Sequence, residues 1–526
     1  MRSTFLDGVQ SVYFCFDCLM DSIGRVDQYL APLYFSDLAK GTLTRTEAEE
    51  ALQELFIYID AHTSHASVNY DRGAESHMTV GGVTPDGRDG WTDFSRLVVE
   101  AAMALDLKRP EMSFRWHPGT ARETLRFMLD CERRDPNLRI AFDGDVPRVE
   151  TYAKRFGVPI EEARDYCMTG CDECIFMGGV SFGGTKANAL RCMTRLFELR
   201  RAELLACRTW DDFRNLFEAE FHHDIGEIFR WCDTFNELRA KDCNVLSALF
   251  LKGCIANAES PTRGGCSRSI PQIFLMGTPN LIDSLCVVRQ FVFEERRCTM
   301  AELVAAVNAN WEGHEALRRE IQCEGKFYGA NDPMTNGIAQ FVHTSLARFA
   351  ERSRDRHGLK WDFGNLMGYN NHGELFGRVT GATPDGRKAG EDVSFGSGPA
   401  IGHGTDAATS VLLAAAKMDP EHVGIDNAAI LRNLRWLDAH GAKIVLRCPM
   451  IPGVNDFAAN LDAIGRLADE LKGVREVNVG PYVPYGIDKA HKLGLKVYEA
   501  PRPPAEYGPS IVTRLSGLTR KKVCLS

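Results

Sequence analysis

The order of the predicted strands and helices constrains the fold of this chain more than any other feature of its sequence. Residues 78–82 are predicted to form a strand that ends in a Pro-Asp-Gly turn, and residues 92–105 an amphipathic helix. Strands at 111–117 (half-buried, from its alternation) and 138–142 and a helix at 149–156 follow. Alternating strands and helices indicate an α/β fold with largely parallel strands, in which active residues gather at strand ends and in the loops beyond them.

Three polar residues lie at the ends of these predicted strands. His117, Asp143 and Asp145 are therefore candidates for the wall of a pocket. Capping and turn formation explain each of them at least as well, because short polar side chains readily bond to nearby backbone groups.

Helical segments flank the alternating region. Residues 45–59 carry apolar side chains at helical spacing, with Thr44 as the predicted N-cap and Glu47 completing a capping box. Residues 188–250 are predicted to be mostly helical, and their aromatic side chains at helical spacing are expected to pack in the core. These aromatic residues are Trp210, Phe213, Phe217 and Phe221.

Residues 165–179 show neither helical periodicity nor the alternation of a strand, and glycines flank their centre, so they are predicted to form a loop. Cys171 lies two residues before Glu173 in this stretch. A thiol and a carboxyl at this spacing reach one small molecule from one loop tip. The sulfur takes a proton, an electron or a hydrogen atom, and the carboxyl moves protons. Cys171 and Glu173 are therefore the candidate catalytic pair.

Two other interpretations of these cysteines stay open. Cys167, Cys171 and Cys174 have a C-x3-C-x2-C spacing that thiolate ligands of iron–sulfur clusters use. Alternatively all three are buried and inert, since cysteine is among the most buried residue types.

Composition limits the classes of partner. The 526-residue chain has a net charge of −9 and no basic stripe, which argues against a nucleic-acid partner or an anionic membrane surface. No apolar run approaches the ~20 residues of a membrane helix, and the first residues lack the pattern of a signal peptide. The 17 cysteines fit reduced thiols in a cytoplasmic protein better than a disulfide framework.

The pentapeptide Thr-Pro-Asp-Gly-Arg occurs twice, at 84–88 and at 383–387. Pro-Asp-Gly is first a turn signal, so each copy is predicted to be a rigid turn. Arg387, which ends the second copy, and Lys388, which follows it, are expected to face solvent or a neighbouring carboxylate and not to bind substrate directly. A repeat this short proves no duplication, but it is compatible with a barrel built from two similar halves.

The cysteine stretch resembles the active-site segment of the glycyl radical enzymes, the family of pyruvate formate-lyase and its dehydratase and decarboxylase relatives. In that family a "(D)Y-x-x-x-G-C-x-E" run carries the thiyl radical cysteine and its neighbouring glutamate. Pyruvate formate-lyase itself has two adjacent cysteines, whereas this chain resembles the Gly-Cys-x-Glu branch. The matching residues are Tyr166, Gly170, Cys171 and Glu173.

This resemblance covers about residues 20–416. It implies an incomplete glycyl-radical-type α/β barrel with surrounding helices, from which an N-terminal helical region of the family is missing. In one matching segment Asp332 is retained and Pro333 departs from the family pattern. The segments that carry the resemblance beyond the cysteine stretch are 24–34, 327–335 and 381–391.

From about residue 417 the chain resembles the C-terminal half of the radical S-adenosylmethionine activating enzyme of the same family. Arg447, Pro449 and residues 451–453 are among the matching positions. A partial (β/α) barrel is therefore expected at this end of the chain. Its predicted elements are helices at 428–440 and 460–471 and strands at 443–447 and 476–479.

The family stores its radical on a glycine near the C-terminus, in an Arg-Val-x-Gly-Tyr type motif. Residues 513–518, TRLSGL, place Gly517 at the position of that glycine, but the tyrosine is absent. A glycine at a helix end is the ordinary explanation of Gly517. The expected domains are a lyase-like domain at 1–416 and an activating-enzyme-like fragment at 417–526, joined by a fusion.

The resemblance implies a lyase that acts on a small polar substrate through a thiyl at Cys171, with Glu173 moving the proton. The family includes dehydratases, decarboxylases and carbon–carbon lyases, and the sequence does not distinguish among these three reactions. The organic radical would come from a separate S-adenosylmethionine-dependent iron–sulfur activating enzyme, with no bound cofactor or metal, and a homodimer is expected. The alternatives are an iron–sulfur protein that uses Cys167, Cys171 and Cys174, and a catalytically dead scaffold. Without a radical store, the chain alone is not expected to sustain turnover.

Overall fold

The computed structural model describes residues 4–19, 22–62, 76–135, 137, 139–169, 173–241, 245–365, 372–394, 396, 398–400, 402–403, 414, 438, 443–450, 456, 458–481, 503–504 and 506–525. Its strands are β1 (His77–Gly81), β2 (Glu111–Trp116), β3 (Ile140–Gly144), β4 (Tyr166–Thr169), β5 (Glu173–Phe176), β6 (Val180–Asn188), β7 (Ser269–Met276), β8 (Asp362–Asn365), β9 (Ile444–Met450), β10 (Val474–Pro481) and β11 (Lys522–Leu525).

The helices fall into two groups. Those before β7 are α1 (Phe5–Leu19), α2 (Val26–Tyr29), α3 (Ala31–Lys40), α4 (Arg45–His62), α5 (Asp93–Met103), α6 (Arg122–Arg134), α7 (Asp145–Arg155), α8 (Ile160–Ala163), α9 (Arg191–Leu199), α10 (Arg201–Ala206), α11 (Trp210–Arg239), α12 (Val245–Phe250) and α13 (Cys254–Asn257). The later ones are α14 (Thr278–Val287), which continues as a π-helix over Val288–Glu294, α15 (Met300–Asn308), α16 (Glu315–Glu324), α17 (Pro333–Arg352), α18 (His372–Arg378), α19 (Ala458–Glu470) and α20 (Tyr507–Ser516).

A parallel sheet in the order β1-β2-β3 organises the N-terminal region. Its apolar side chains form one core with helices α1 to α6, in which Phe56, Phe94 and Phe114 are fully buried. Ser113 and Arg115, on the other face of β2, are fully buried as well, so the expectation of a half-buried strand is wrong. The predicted α/β fold with parallel strands is confirmed here.

A second parallel sheet, in the order β6-β7-β8, organises the following region. Helix α11 packs against it, with Phe213, Phe217 and Phe221 buried in its core and Trp210 half-buried beside them. The expectation that these aromatic residues pack is confirmed.

None of the described helices combines the length and apolar character needed to cross a membrane.

The C-terminal elements follow the order β9-α19-β10-α20-β11 and form a parallel sheet with β10 in the centre. Val477 and Val479 of β10 are buried with Leu461 and Ile464 of α19, as strand and helix residues of a small α/β unit should be. The predicted strands at this end and the helix at 460–471 are confirmed. The predicted helix at 428–440 lies outside the described residues apart from Asp438, and so does the proposed boundary at 416/417.

Local signals account for several helix ends. Thr44 and Glu47 form the predicted capping box: the Thr44 amide donates to the Glu47 carboxylate at 2.8 Å, and the Glu47 amide to the Thr44 hydroxyl at 3.2 Å. Asp332 caps α17 by accepting from two amides of its first turn, and Pro333 occupies the first helical position, where its missing N–H costs nothing. Helix α7 begins at Asp145 rather than at residue 149.

The prediction of a loop over 165–179 is wrong at both flanks. Strands β4 and β5 form an antiparallel hairpin in which Tyr166 pairs with Phe176 and Thr169 with Glu173. All four residues of β4 are buried. A strand that is buried on both faces has no alternation of polar and apolar residues, so the sequence pattern carries no strand signal.

Candidate functional site

The cysteine hairpin, β4 and β5, lies between the sheet β1-β2-β3 and the sheet β6-β7-β8. On one side the Met168 amide donates to the Thr79 hydroxyl of β1 at 3.0 Å. On the other side the Gln272 side chain of β7 donates to the Cys174 carbonyl at 3.2 Å. Each strand of the hairpin is therefore tied to a different sheet.

The two faces of the hairpin have different neighbours. Tyr166, Met168, Cys174 and Phe176 belong to one buried apolar cluster that also includes Tyr152. Opposite residues of an antiparallel pair share a face, and successive residues alternate between faces.

The other face carries Cys167 and Thr169. A side-chain carbon added at Gly24 would lie 3.7 Å from the Cys167 sulfur, and the Ser22 hydroxyl donates to the Thr169 hydroxyl at 2.9 Å. This face of the hairpin therefore looks toward the segment that precedes α2.

The structure places the predicted catalytic pair only in part. Cys171 lies outside the described residues, as do Gly170 and Asp172 on either side of it. The backbone of Glu173 is described and pairs with Thr169. Residues 170–172, with Cys171 in the middle, therefore separate the paired residues Thr169 and Glu173 in the sequence.

Cys167 and Cys174 lie on opposite faces of the hairpin. The Cys174 sulfur is 3.6 Å from the Met168 sulfur, whereas Cys167 faces Gly24. Burial raises the pKa of the Cys167 thiol to about 12, so it is protonated at neutral pH. Thiolates that share one cluster must converge on one small volume, and these two do not.

Two buried arginines hold the base of the hairpin. Arg115 donates to the carbonyls of Tyr166 (2.7 Å) and Arg164 (2.8 Å), and its guanidinium carbon lies 3.8 Å from the centre of the Tyr166 ring. Arg25 donates to the Arg164 carbonyl at 3.2 Å and to the Gly81 carbonyl at 3.0 Å. Both guanidinium groups are almost wholly buried.

Asp145 balances the charge of Arg115. Its carboxylate accepts from Arg115 at 2.6 Å, from the Tyr166 hydroxyl at 2.8 Å and from the Val83 amide at 2.5 Å. Burial works against the charge of Arg115, but Asp145 holds the arginine pKa above its ordinary value. Sequence reasoning missed Arg25 and Arg115, because a charged residue gives no sign of burial until its distant partners are known.

The other two pocket-wall candidates also have structural partners. Asp143 accepts from Arg148 at 2.7 Å. His117 accepts from the Gly119 amide at 3.1 Å through Nδ1 and contacts Asp89 at 3.1 Å through Nε2. Turn formation and ion pairing describe these contacts, and a pocket-wall role stays a prediction.

The expectation for Arg387 is wrong. Arg387 is buried and donates to backbone carbonyls, among them those of Lys388 at 3.0 Å and Glu391 at 2.7 Å. The two terminal nitrogens of its guanidinium cross-link the backbone around the turn, a task that suits a planar, forked group. The turn itself forms as predicted, with Gly386 at φ +92°.

Gly517 follows the last residue of α20, and its amide donates to the Arg514 carbonyl at 3.1 Å. Its φ of −80° is open to any residue, so this position does not require a glycine. The helix-end explanation of Gly517 therefore describes its position. Among the described residues no group of three or more His, Cys, Asp or Glu side chains lies close enough to hold a metal ion.

The chain matches the profile of the family described as "Pyruvate formate lyase-like" over residues 3–366. It therefore belongs to the pyruvate formate lyase-like family, and this match includes the sheets β1-β2-β3 and β6-β7-β8 and the cysteine hairpin.

Relatives and solved structures agree with this assignment. The chain is 27% identical to isethionate sulfite-lyase of Nitratidesulfovibrio vulgaris, over 79% of this chain and 52% of that protein. It is 25% identical to (2S)-3-sulfopropanediol dehydratase of Klebsiella oxytoca, over 83% and 55%. A structure from Roseburia inulinivorans described for 1,2-propanediol dehydration shares the fold, with a TM-score of 0.71 and 24% identity over 80% and 56%. The chain thus spans about half the length of the curated relatives it matches.

Proposed function

We propose that this chain is the core of a glycyl-radical-type lyase that acts on a small polar substrate through Cys171. The observation that supports it is the cysteine hairpin, whose strands lie between two parallel sheets in a chain of the pyruvate formate lyase-like family. The two sheets are then the halves of an incomplete α/β barrel around the hairpin. In the same proposal β9, β10 and β11, with the helices α19 and α20, belong to a partial (β/α) barrel of the activating-enzyme type.

In this proposal a thiyl at Cys171 takes a hydrogen atom from a substrate carbon: the C–H bond breaks, the S–H bond forms and the unpaired electron moves to carbon. Glu173 takes the proton of the hydroxyl on that carbon. In a dehydratase the neighbouring hydroxyl leaves with its bonding electron pair, and with that proton it becomes water. Return of the hydrogen atom from Cys171 to the product radical restores the thiyl, in a site that must exclude water to protect it.

The radical is supplied from outside the described site. A separate S-adenosylmethionine-dependent activating enzyme installs it on a glycine loop of the family type, and the working assembly is a homodimer. Gly517 is not that glycine in this proposal, because it ends a helix of the C-terminal α/β unit. In this proposal turnover requires a glycine loop of the family type, which a separate polypeptide supplies to the chain.

The test is anaerobic incubation of the chain with the cognate activating enzyme, S-adenosylmethionine and a reductant, with and without a polypeptide that carries the glycine loop. We expect a glycyl-type electron paramagnetic resonance doublet and product only when the loop is present. A doublet from the chain alone that disappears in Gly517→Ala would show that Gly517 stores the radical. A doublet without product from any small hydroxylated substrate would favour the catalytically dead scaffold.

A further inference from the structure

Two buried cysteines that the proposed reaction does not use lie in one loop, residues 252–268, between α12 and β7. We call this segment the thiol loop. Cys254 is the first residue of α13 and is 2% exposed, and Cys266 lies three residues before β7 and is 8% exposed. Their thiols are hydrogen-bonded to each other, although twelve positions separate them in the sequence. The loop therefore brings two oxidisable sulfurs together.

The backbone of the thiol loop holds the two cysteines side by side. The Ser267 amide donates to the Lys252 carbonyl at 2.7 Å, which closes the loop at its base. A side-chain carbon added at Gly253 would lie 3.0 Å from the Gly265 carbonyl oxygen, so the residues that directly precede the two cysteines are in contact. The Asn257 side chain also donates to the Gly265 carbonyl, at 2.9 Å. The sulfurs are therefore close because the backbone places them so, and not because of one side-chain rotamer.

The thiol loop is attached to the turn that follows the cysteine hairpin. The Lys252 amide donates to the Gly178 carbonyl at 2.8 Å, and the Cys266 sulfur lies 3.5 Å from the same oxygen. Gly178 lies between β5 and β6, and the Lys252 ammonium pairs with Asp165, directly before β4, at 3.5 Å. A covalent change in the loop therefore takes place next to both ends of the hairpin.

Two thiols in this arrangement are suited to form a disulfide. A disulfide needs an S–S bond of about 2 Å, and hydrogen-bonded sulfurs reach that distance by moving about 2 Å or less toward each other. A metal ion is a poorer explanation, because no third His, Cys, Asp or Glu side chain joins the pair in the part of the chain that the structure describes. Burial raises the pKa of both thiols, which keeps them protonated and reduced at neutral pH until an oxidant is present.

We propose that Cys254 and Cys266 form a redox modification site, at which hydrogen peroxide converts the two thiols into a disulfide. A small oxidant is required, because both sulfurs lie beneath the surface of the loop. The disulfide closes a ring over residues 254–266 beside the turn at Gly178, and a dithiol reductant reopens it. The site does not depend on the proposed thiyl chemistry, so it holds whether or not the chain is a lyase.

The oxidation takes two steps. The more exposed Cys266 reacts first as its thiolate: its sulfur bonds to one peroxide oxygen, the O–O bond breaks, and the hydroxide that leaves takes up a proton to become water. The Cys254 sulfur then attacks the sulfenic sulfur, so that the S–S bond forms and the S–O bond breaks. The second hydroxide leaves as water with the Cys254 proton. The two thiols lose two electrons and the peroxide gains two, so no further reactant is needed.

The test is peptide mapping of the full purified chain after treatment with hydrogen peroxide, with the remaining thiols blocked before digestion. Trypsin cleaves after Lys252, Arg263 and Arg268, so the two cysteines of the pair lie in separate peptides, 253–263 and 264–268. We expect mass spectrometry to find these two peptides joined, two hydrogen atoms lighter than their sum, and separated again by dithiothreitol. In urea the yield of the joined peptides falls, because the unfolded chain no longer holds the two sulfurs together and other cysteines compete.

Cys254→Ser tests the order of the two steps. The Cys266 sulfenic acid then has no partner, so we expect dimedone to label Cys266 in this variant and not in the wild-type chain. The matched control is Cys323→Ser, which removes an exposed thiol of α16 and leaves the yield of the joined peptides unchanged. Absence of the joined peptides in the folded wild-type chain, an equal yield in urea, or equal dimedone labelling of Cys266 in the wild-type chain and in Cys254→Ser would each overturn the proposal.

Discussion

At 84–88 and at 383–387 the same five residues form the same backbone turn. In each copy the threonine amide donates to the arginine carbonyl, at 2.9 Å and 3.0 Å, and the glycine amide donates to the threonine carbonyl, at 2.8 Å and 3.1 Å. Gly87 and Gly386 have φ of +88° and +92°, which side chains rarely adopt. The pentapeptide alone therefore determines the backbone.

The surroundings of the two turns are opposite. In the first, Asp86 and Arg88 are exposed and pair with each other, with the arginine Nε 2.7 Å from the carboxylate. In the second, Asp385 is fully buried and accepts from Asn280 at 2.8 Å and from Ser284 at 3.3 Å, both on α14. The aspartate thus bonds only to residues of its own turn at the first site, and at the second site it also joins the turn to the distant helix α14.

The comparison shows that a turn signal in the sequence predicts the backbone geometry of the turn but not how much its side chains contribute to stability. Burial leaves no water to replace a lost partner, so the same substitution should be silent in the first turn and costly in the second.

Replacement of the aspartate gives the largest expected difference. Asp385→Ala leaves the donors of Asn280, Ser284 and Thr383 without their buried acceptor, which lowers the free energy of unfolding by about 3 kcal/mol. Asp86→Ala is the matched control and leaves stability unchanged, because water replaces its partners. Urea unfolding followed by tryptophan fluorescence measures both, and equal effects of the two variants would remove the distinction.

Replacement of the arginine gives a smaller difference. Arg387→Lys cannot span the carbonyls that the guanidinium joins, and we expect a loss of about 2 kcal/mol in the free energy of unfolding. Arg88→Lys retains its charge in solvent and has no detectable effect. The measurement is the thermal unfolding transition of each variant. A transition at the wild-type temperature in Arg387→Lys would show that the buried contacts of Arg387 do not contribute to stability.

Replacement of the glycine should not distinguish the turns. Gly87→Ala and Gly386→Ala each force a side chain into the same backbone conformation, at about 1 kcal/mol apiece. The nearest atoms to the added carbon are in flexible side chains, Arg164 at 3.2 Å and Gln322 at 3.3 Å. Parallel urea titrations test this, and a cost confined to one glycine would mean that the backbones differ in solution.

Sequence reasoning succeeded where the cause is local. Thr44 and Glu47 cap α4 as predicted, and the periodicity of α11 identifies the face that carries Phe213 and Phe217. Hydrophobic spacing was enough to predict α/β units over residues 78–156 and at the C-terminal end, whereas the strands β6, β7 and β8 of the second sheet were not predicted.

Sequence reasoning failed where a residue's structural role depends on partners that lie far away along the chain. Arg115 bonds to the Tyr166 carbonyl 51 residues away and Arg25 to the Arg164 carbonyl 139 residues away, and no short pattern encodes such partners. The hairpin strands were missed because both of their faces are covered. Cys171 and Glu173 were chosen from spacing and resemblance, and their roles stay predictions.

Substitution of single cysteines on the hairpin tests the central claim most directly. The chain is activated without oxygen in the presence of the glycine loop, and product formation and bound iron are measured for Cys171→Ala and for Cys167→Ala. Our account predicts that Cys171→Ala abolishes product, that Cys167→Ala retains it, and that the wild-type chain holds no stoichiometric iron. Stoichiometric iron that is lost together with activity in Cys167→Ala as well as in Cys171→Ala would contradict it and establish the cluster.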